Sequence, residues 1–189
     1  MRYLMPAALL ALAAAAPAPI KADKAASMLM DGHCTDAAWT RAKGHDIGHG
    51  ANLKIAADAD FVWLCVTPPA ESYATADLYL VDKAGAIHNL HASAQLGERV
   101  KGASGWPDYV WGNNVGWYGN PVAFSGAREG RVQFTPSKGR ELQIARSKYP
   151  GDRWTLMLEV RALGAANTET VFPAGAKEDD TKTWVTVQL

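Results

Sequence analysis

The chain has 189 residues, and 19 lysines and arginines balance 19 aspartates and glutamates, so its formal net charge is zero. This balance argues against a polyanion partner, because nucleic-acid-binding proteins usually carry a basic excess or stripe. The length suits one ordinary domain, and no repeat of about 20 to 50 residues indicates a second one.

Residues 1–22 are predicted to be a signal peptide. Arg2 supplies a positive charge, and an apolar run covers residues 4–15. The run has secretory length and is too short to cross a bilayer as a helix. An apolar core helix is the alternative, but no polar face interrupts the run. Small residues at its end predict cleavage after Ala15 or after Ala22. Residues 23–189 would then form one exported domain, periplasmic or secreted.

Export would place the two cysteines, Cys34 and Cys65, in an oxidising environment, where two cysteines of one chain usually pair. The disulfide would close a loop of about thirty residues. Two buried thiols are the alternative. A metal site made from Cys34 and His33 is disfavoured, since adjacent residues on an extended chain point to opposite faces.

Strands dominate the predicted elements. Taken in chain order, they lie at residues 53–56, 61–66, 77–81, 87–94, 131–134, 141–145, 154–160 and 184–189. Only residues 35–41 and 147–150 are predicted to form helical turns. Several short strands separated by turn residues indicate an all-β sandwich or barrel.

Part of this pattern occurs in a known family. It consists of an Asp-Gly turn, an Asp-Ala-Ala-Trp step, a hairpin and three further strands, at residues 31–32, 36–39, 53–66, 77–81, 140–145 and 154–160. In this arrangement most of the chain resembles family 9 carbohydrate-binding modules, whose wider relatives include DOMON-type domains that bind haem or sugars. The resemblance implies an antiparallel β-sandwich with a ligand site, but no particular ligand.

The resemblance also bears on metals and cofactors. Acidic residues near the opening turn can hold structural calcium in this family, and the matching residues here are Asp31, Asp36, Asp58 and Asp60. Their spacing is not that of a dedicated calcium loop, so no metal ligand is assigned. Haem is the alternative cofactor, with His88 or His91 facing Met28, Met30 or Met157 across the iron.

The segment at residues 106–118 is the candidate ligand site. It holds five large aromatic residues among glycines, asparagines and a proline, which is typical of a surface loop. Trp and Tyr rings can stack on the apolar face of a pyranose, while Asn and Asp bind its hydroxyls. The predicted ligand-binding residues are Trp106, Asp108, Tyr109, Trp111, Asn113, Asn114, Trp117 and Tyr118. The alternative is that these rings fold inward and cap the sandwich. The remaining tryptophans are expected in the core: Trp39, Trp63, Trp154 and Trp184.

Catalysis is not predicted, because the chain has no Gly-x-Ser-x-Gly elbow, phosphate loop or His-Glu-x-x-His motif. Glu141 and Glu159 are expected on the solvent faces of their strands. Arg99 either pairs with Glu98 or binds an anion. The sequence therefore predicts an exported, non-catalytic domain that binds a ligand, with carbohydrate as the first hypothesis. A haem-binding electron-transfer module and a protein-interaction domain are the alternatives.

Overall fold

The computed structural model describes residues 17–25, 27–112 and 114–189. Most of the predicted signal peptide lies outside them. They form sixteen strands, numbered here in chain order: β1 (Ile20–Lys21), β2 (Asp23–Lys24), β3 (Gly44–Gly48), β4 (Ala51–Ala57), β5 (Phe61–Thr67), β6 (Thr75–Val81), β7 (Ile87–Ala92), β8 (Leu96–Val100), β9 (Val110–Trp111), β10 (Trp117–Gly119), β11 (Phe124–Arg128), β12 (Arg131–Phe134), β13 (Arg140–Ala145), β14 (Arg153–Leu163), β15 (Thr168–Phe172) and β16 (Val185–Gln188).

Helical structure is short. The predicted turn at residues 35–41 is confirmed as the helix α1 (Ala37–Arg41), whereas residues 147–150 form a turn without a helix. A single turn of 3-10 helix covers Thr181–Thr183. Within the residues that the structure describes, no helix is long and apolar enough to cross a membrane.

The strands form two stacked sheets. The larger has the order β1-β16-β14-β6-β7-β8-β9, with β15 also paired to β14, and the smaller has the order β10-β13-β5-β4-β2, with β3 also paired to β4. Leu78 and Leu158 of the larger sheet share a core with Leu64 and Ile144 of the smaller one. This arrangement confirms the predicted β-sandwich.

The sheets are antiparallel except where the N-terminal segment joins them. Strand β1 pairs in parallel with β16 of the larger sheet, and β2 pairs in parallel with β4 of the smaller one. Ala22 lies between the two short strands and is buried in the core. At this end the sandwich has parallel pairing, because one segment crosses from sheet to sheet.

The outer face of the smaller sheet carries a second apolar cluster. Trp39 of α1 packs there with Trp63 and with the disulfide between Cys34 and Cys65, whose Cα atoms are 6.0 Å apart. The predicted disulfide is thus confirmed. The predicted burial of Trp39, Trp63, Trp154 and Trp184 is confirmed as well.

The opening Asp-Gly turn is fastened by a buried carboxylate. Glu141 accepts the backbone N–H of Gly32 at 2.6 Å and the indole Nε1–H of Trp39 at 3.0 Å. Gly32 has a φ of +78°, and a Cβ there would lie 2.5 Å from Asn120 Nδ2, so only glycine fits. Glu141 is 0% exposed, and burial raises its pKa. The expectation that it faces solvent was wrong, because α1 and the opening turn cover this part of the sheet.

The hairpin of β11 and β12 forms a separate two-stranded sheet. Its residues are all exposed, including Phe124, Val132 and Phe134. The rings of Phe134 and Tyr73 pack edge to face, with their centroids 6.4 Å apart.

Candidate ligand-binding face

The outer face of the larger sheet is only partly covered. Tyr79, Met157 and Trp184 form an apolar cluster on it, and Trp106 packs against the edge of this cluster, with its ring centroid 5.7 Å from that of Tyr79. Beyond Trp106, the face is built from polar and aromatic side chains. We call this region the aromatic face, and it consists of Asp77, Asn89, His91, Arg99, Trp106, Tyr109, Trp111, Glu159 and Arg161.

Strand register places these residues side by side. Across the sheet, Glu159 of β14 is opposite Asp77 of β6, and Asp77 is opposite His91 of β7. His91 is opposite Gly97 of β8, which in turn is opposite Trp111 of β9. Directly opposite residues of paired strands point to the same side of a sheet, so the five positions of this row share one face. The row ends at Trp111, on the edge of the sheet.

The indole of Trp111 lies against the backbone of the neighbouring strand at Gly97. A Cβ at Gly97 would lie 2.8 Å from Trp111 Cε3, so the absence of a side chain at Gly97 leaves the space that the indole occupies. The rings of Tyr109 and His91 support the indole, with centroids 5.0 and 5.5 Å away. Even so, Trp111 is 53% exposed. The result is an aromatic ring that its neighbours hold in place and that is about half exposed to solvent.

A buried carboxylate organises the centre of the face. Asp77 is 1% exposed, and its oxygens accept from His91 Nδ1 at 2.9 Å, Asn89 Nδ2 at 3.3 Å and Arg161 Nη1 at 3.2 Å. The Tyr109 hydroxyl lies 2.9 Å from the same carboxylate. Burial would raise the pKa of Asp77, but these hydrogen bonds and the Arg161 charge together lower it below its ordinary value. The network therefore holds an ionised carboxylate and fixes the rings around it.

Arg99 is held between two aromatic rings. Its guanidinium carbon lies 4.7 Å from the centroid of Trp106 and 4.4 Å from that of Tyr109. Its Nε donates to Asn89 Oδ1 at 2.9 Å. The two rings and this hydrogen bond hold the guanidinium in a defined position. The Arg99 side chain is nevertheless partly exposed to solvent.

The predicted site segment is divided between the two sheets. Trp106, Tyr109 and Trp111 lie on the aromatic face, and Asp108 is exposed in the same loop. The predicted residue Asn113 lies outside the described residues. The backbone carbonyl of Asn114 accepts from Trp117 N in the turn that follows.

The end of the segment lies elsewhere in the sandwich. Trp117 of β10 is 4% exposed and belongs to the core between the sheets. Its neighbour Tyr118 is 41% exposed, and strand alternation places it on the outer face of the smaller sheet. The structure therefore brings Trp106, Tyr109 and Trp111 together, and it separates them from Trp117 and Tyr118.

Several residues of the aromatic face were not predicted from the sequence. Asp77 and Asn89 come from the consecutive strands β6 and β7, and Arg161 comes from the distant strand β14. For Asp77, the signal that could have found it is its place between Ala76 and Leu78 in the otherwise apolar strand β6.

The histidine next to this face has a different environment. His88 lies between two carboxylates, with Nε2 3.1 Å from Asp82 Oδ2 and Nδ1 3.2 Å from Glu98 Oε1. Glu98 also accepts from Lys148 Nζ at 2.8 Å. The hydrogen bond with Glu98 raises the pKa of His88, and that with Asp82 acts in the same direction against the effect of burial. Both ring nitrogens are thus engaged by protein.

The methionines that the haem hypothesis named are dispersed. Met28 and Met30 lie in the cluster on the outer face of the smaller sheet, away from His91 on the larger one. Met157 is buried in the cluster with Trp184. Among the residues that the structure describes, no group of three His, Cys, Asp or Glu side chains is arranged to hold a metal ion. Of the predicted calcium ligands, Asp58 caps the hairpin turn by accepting the N–H groups of Asp60 and Phe61.

Fold and site together define a β-sandwich protein with one open, aromatic outer face. No family model matches the chain, and no curated protein matches it. The fold is similar to the crystal structure of a putative carbohydrate-binding protein from Bacteroides uniformis ATCC 8492. The TM-score is 0.54 at 8% sequence identity, and the likeness covers 90% of this chain and 98% of that one. At this identity the likeness shows the fold alone.

Proposed function

We propose that the protein is an exported carbohydrate-binding domain of the family 9 type, and that it holds sugar on the aromatic face. The observation that carries this proposal is the half-exposed indole of Trp111, supported by His91 and Tyr109 and lying over Gly97. A fixed, open aromatic ring beside polar groups suits a pyranose, because the sugar has an apolar C–H face and a rim of hydroxyls.

The surroundings of Trp111 support the same function. The loop supplies the exposed carboxylate of Asp108, and the sheet supplies the partly exposed guanidinium groups of Arg99 and Arg161. These groups can exchange hydrogen bonds with hydroxyls in fixed directions. The description of the solved structure as a putative carbohydrate-binding protein agrees with this proposal.

Binding without catalysis is part of the proposal. Glycoside hydrolysis needs two carboxyl groups that face one substrate. Here Glu159 is engaged by Arg161 at 2.7 Å, Glu98 by Lys148 and His88, and Glu141 is buried beneath the opening turn. These three carboxylates are thus engaged by structural partners.

Isothermal titration with a panel of oligosaccharides tests the site. We expect Trp111→Ala to weaken binding of any sugar that binds by at least about tenfold, because a central aromatic contact is lost. Tyr118→Ala is the matched control, since it removes an exposed ring from the other sheet. If Tyr118→Ala lost affinity and Trp111→Ala did not, the binding site would lie on the smaller sheet, and the proposed location would be wrong. A panel without any binding sugar would contradict the function itself.

Export carries its own prediction. We propose cleavage after Ala15, because Ile20 and Lys21 pair with β16 and Ala22 is buried in the core. Cleavage after Ala22 would remove β1 from the larger sheet. N-terminal sequencing of the mature protein should therefore begin at Ala16, and a chain beginning at Asp23 would contradict this choice.

A further inference from the structure

We propose that the carbohydrate bound by the aromatic face is acidic, and that Arg99 binds the carboxylate of a uronic acid unit. This inference rests on the proposed function and makes its ligand class specific. From the sequence alone, Arg99 either pairs with Glu98 or binds an anion.

Glu98 does not serve as the partner of Arg99. The two residues are adjacent on β8, so their side chains leave the strand on opposite faces. Glu98 is 5% exposed and has Lys148 Nζ at 2.8 Å and His88 Nδ1 at 3.2 Å. The negative charge of Glu98 is thus paired with Lys148 and His88 on the core side of the sheet, whereas Arg99 lies on the outer side.

The other acidic groups of the aromatic face are also engaged. Asp77 has Arg161 Nη1 at 3.2 Å and His91 Nδ1 at 2.9 Å, and Glu159 has Arg161 Nη2 at 2.7 Å. In the described part of the chain, no carboxylate oxygen lies within 4.0 Å of the Arg99 guanidinium. Among the described residues, the Arg99 side chain makes one hydrogen bond, from Nε to Asn89 Oδ1. Its Nη groups have no protein acceptor among these residues.

Arg99 is nevertheless fixed in place. The rings of Trp106 and Tyr109 hold its guanidinium at 4.7 and 4.4 Å. A second cation adjoins it, since Lys101 Nζ lies 5.7 Å from the centroid of Trp106 and has no carboxylate within 4.0 Å among the described residues. Asp108 is exposed in the same loop, and Glu178 accepts from the Tyr79 hydroxyl at 3.3 Å, so these carboxylates leave the Arg99 Nη groups open.

This combination matches the chemistry of a uronic acid. A guanidinium whose Nη groups are open presents a planar fork that fits a carboxylate. A cation held in position beside an aromatic platform loses little side-chain freedom on binding. A sugar ring stacked on Trp111 could therefore direct a carboxylate toward Arg99, whereas a neutral sugar would leave that charge unmatched.

Matched pairs of oligosaccharides test the inference. Trisaccharides of galacturonate and galactose, glucuronate and glucose, and mannuronate and mannose differ within each pair only at C6. We expect at least one acidic member to bind about tenfold or more tightly than its neutral counterpart, as a charged hydrogen bond predicts. Raising the salt concentration should reduce this preference.

Two arginine variants provide the local test. Arg99→Gln should abolish the preference for the acidic member, so that the ratio of the two affinities within each pair falls to about one. Arg128→Gln removes the same charge from the exposed tip of the β11–β12 hairpin, so it should leave the preference unchanged. Circular dichroism of each variant checks that the sandwich is folded. An additional arm with triglutamate separates sugar recognition from attraction to any carboxylate.

The outcomes are distinguishable. Equal affinity for acidic and neutral members would overturn this inference and leave carbohydrate binding standing. Failure of every sugar to bind would overturn both. Triglutamate that binds as tightly as the acidic sugar would also overturn the inference, as would a preference that survives in Arg99→Gln.

Discussion

Replacement of Glu141 by leucine should destabilise the whole sandwich. The carboxylate is completely buried and accepts two hydrogen bonds, from Gly32 N at 2.6 Å and from Trp39 Nε1 at 3.0 Å. Leucine has a similar size but no acceptor, so both donors would be stranded. A buried donor without a partner costs about 1 to 3 kcal/mol, which gives a total loss of about 2 to 6 kcal/mol.

Urea unfolding followed by circular dichroism measures this loss. Because domains are stable by only about 5 to 15 kcal/mol, the shift in the midpoint should be large. Glu141→Gln retains one acceptor oxygen and should lose less than Glu141→Leu. Glu169→Leu is the control, since Glu169 is 70% exposed and its replacement should change stability by less than about 0.5 kcal/mol. A loss below about 1 kcal/mol in Glu141→Leu would refute the role assigned to this carboxylate.

Three further predictions concern the site, the charge cluster and the disulfide. Gly97→Ala should push the indole of Trp111 from its position and weaken sugar binding, as measured by titration, while circular dichroism stays unchanged. The pKa of His88 is raised in the folded state, so its stabilising contribution is complete below about pH 6.5 and is lost as the pH rises through the folded-state pKa. Urea unfolding between pH 6 and 9 should therefore show a smaller fall in stability for His88→Gln than for the wild type, and equal slopes would contradict the assignment. Reduction of the bond between Cys34 and Cys65, 31 residues apart, should cost about 3 to 4 kcal/mol in urea unfolding, and an unchanged midpoint would disprove it.

Local sequence patterns predicted the long strands well. Strands such as β4, β5 and β14 alternate or run apolar between clear turn residues, so each carries its own signal. The strands β1, β2 and β9 are only two residues long and are defined by their pairing with other strands, which for β1 and β2 are distant in the chain. Strand β3 was also missed, because it begins and ends with glycine and therefore resembles a loop in the sequence. A pattern read along the chain has no access to such pairings.

The candidate site was predicted only in part, for two physical reasons. Trp111 and Trp117 are close in sequence, but the turn between them carries the chain from the larger sheet to the smaller one, so one aromatic segment serves two layers. Glu141 follows the expected alternation, yet the face it occupies is covered by α1 rather than by water. In both cases the environment of the side chain is decided by a tertiary contact, which local sequence patterns do not predict.

The pairing of β1 with β16 has a consequence for how the chain folds. Ile20 lies beside Val187, so β1 finds its partner in the sheet only after all the strands between β1 and β16 have been made. Contacts of such long range are slow to form, because the intervening chain must be ordered first. A nascent chain of this protein therefore lacks a finished larger sheet until β16 has been made.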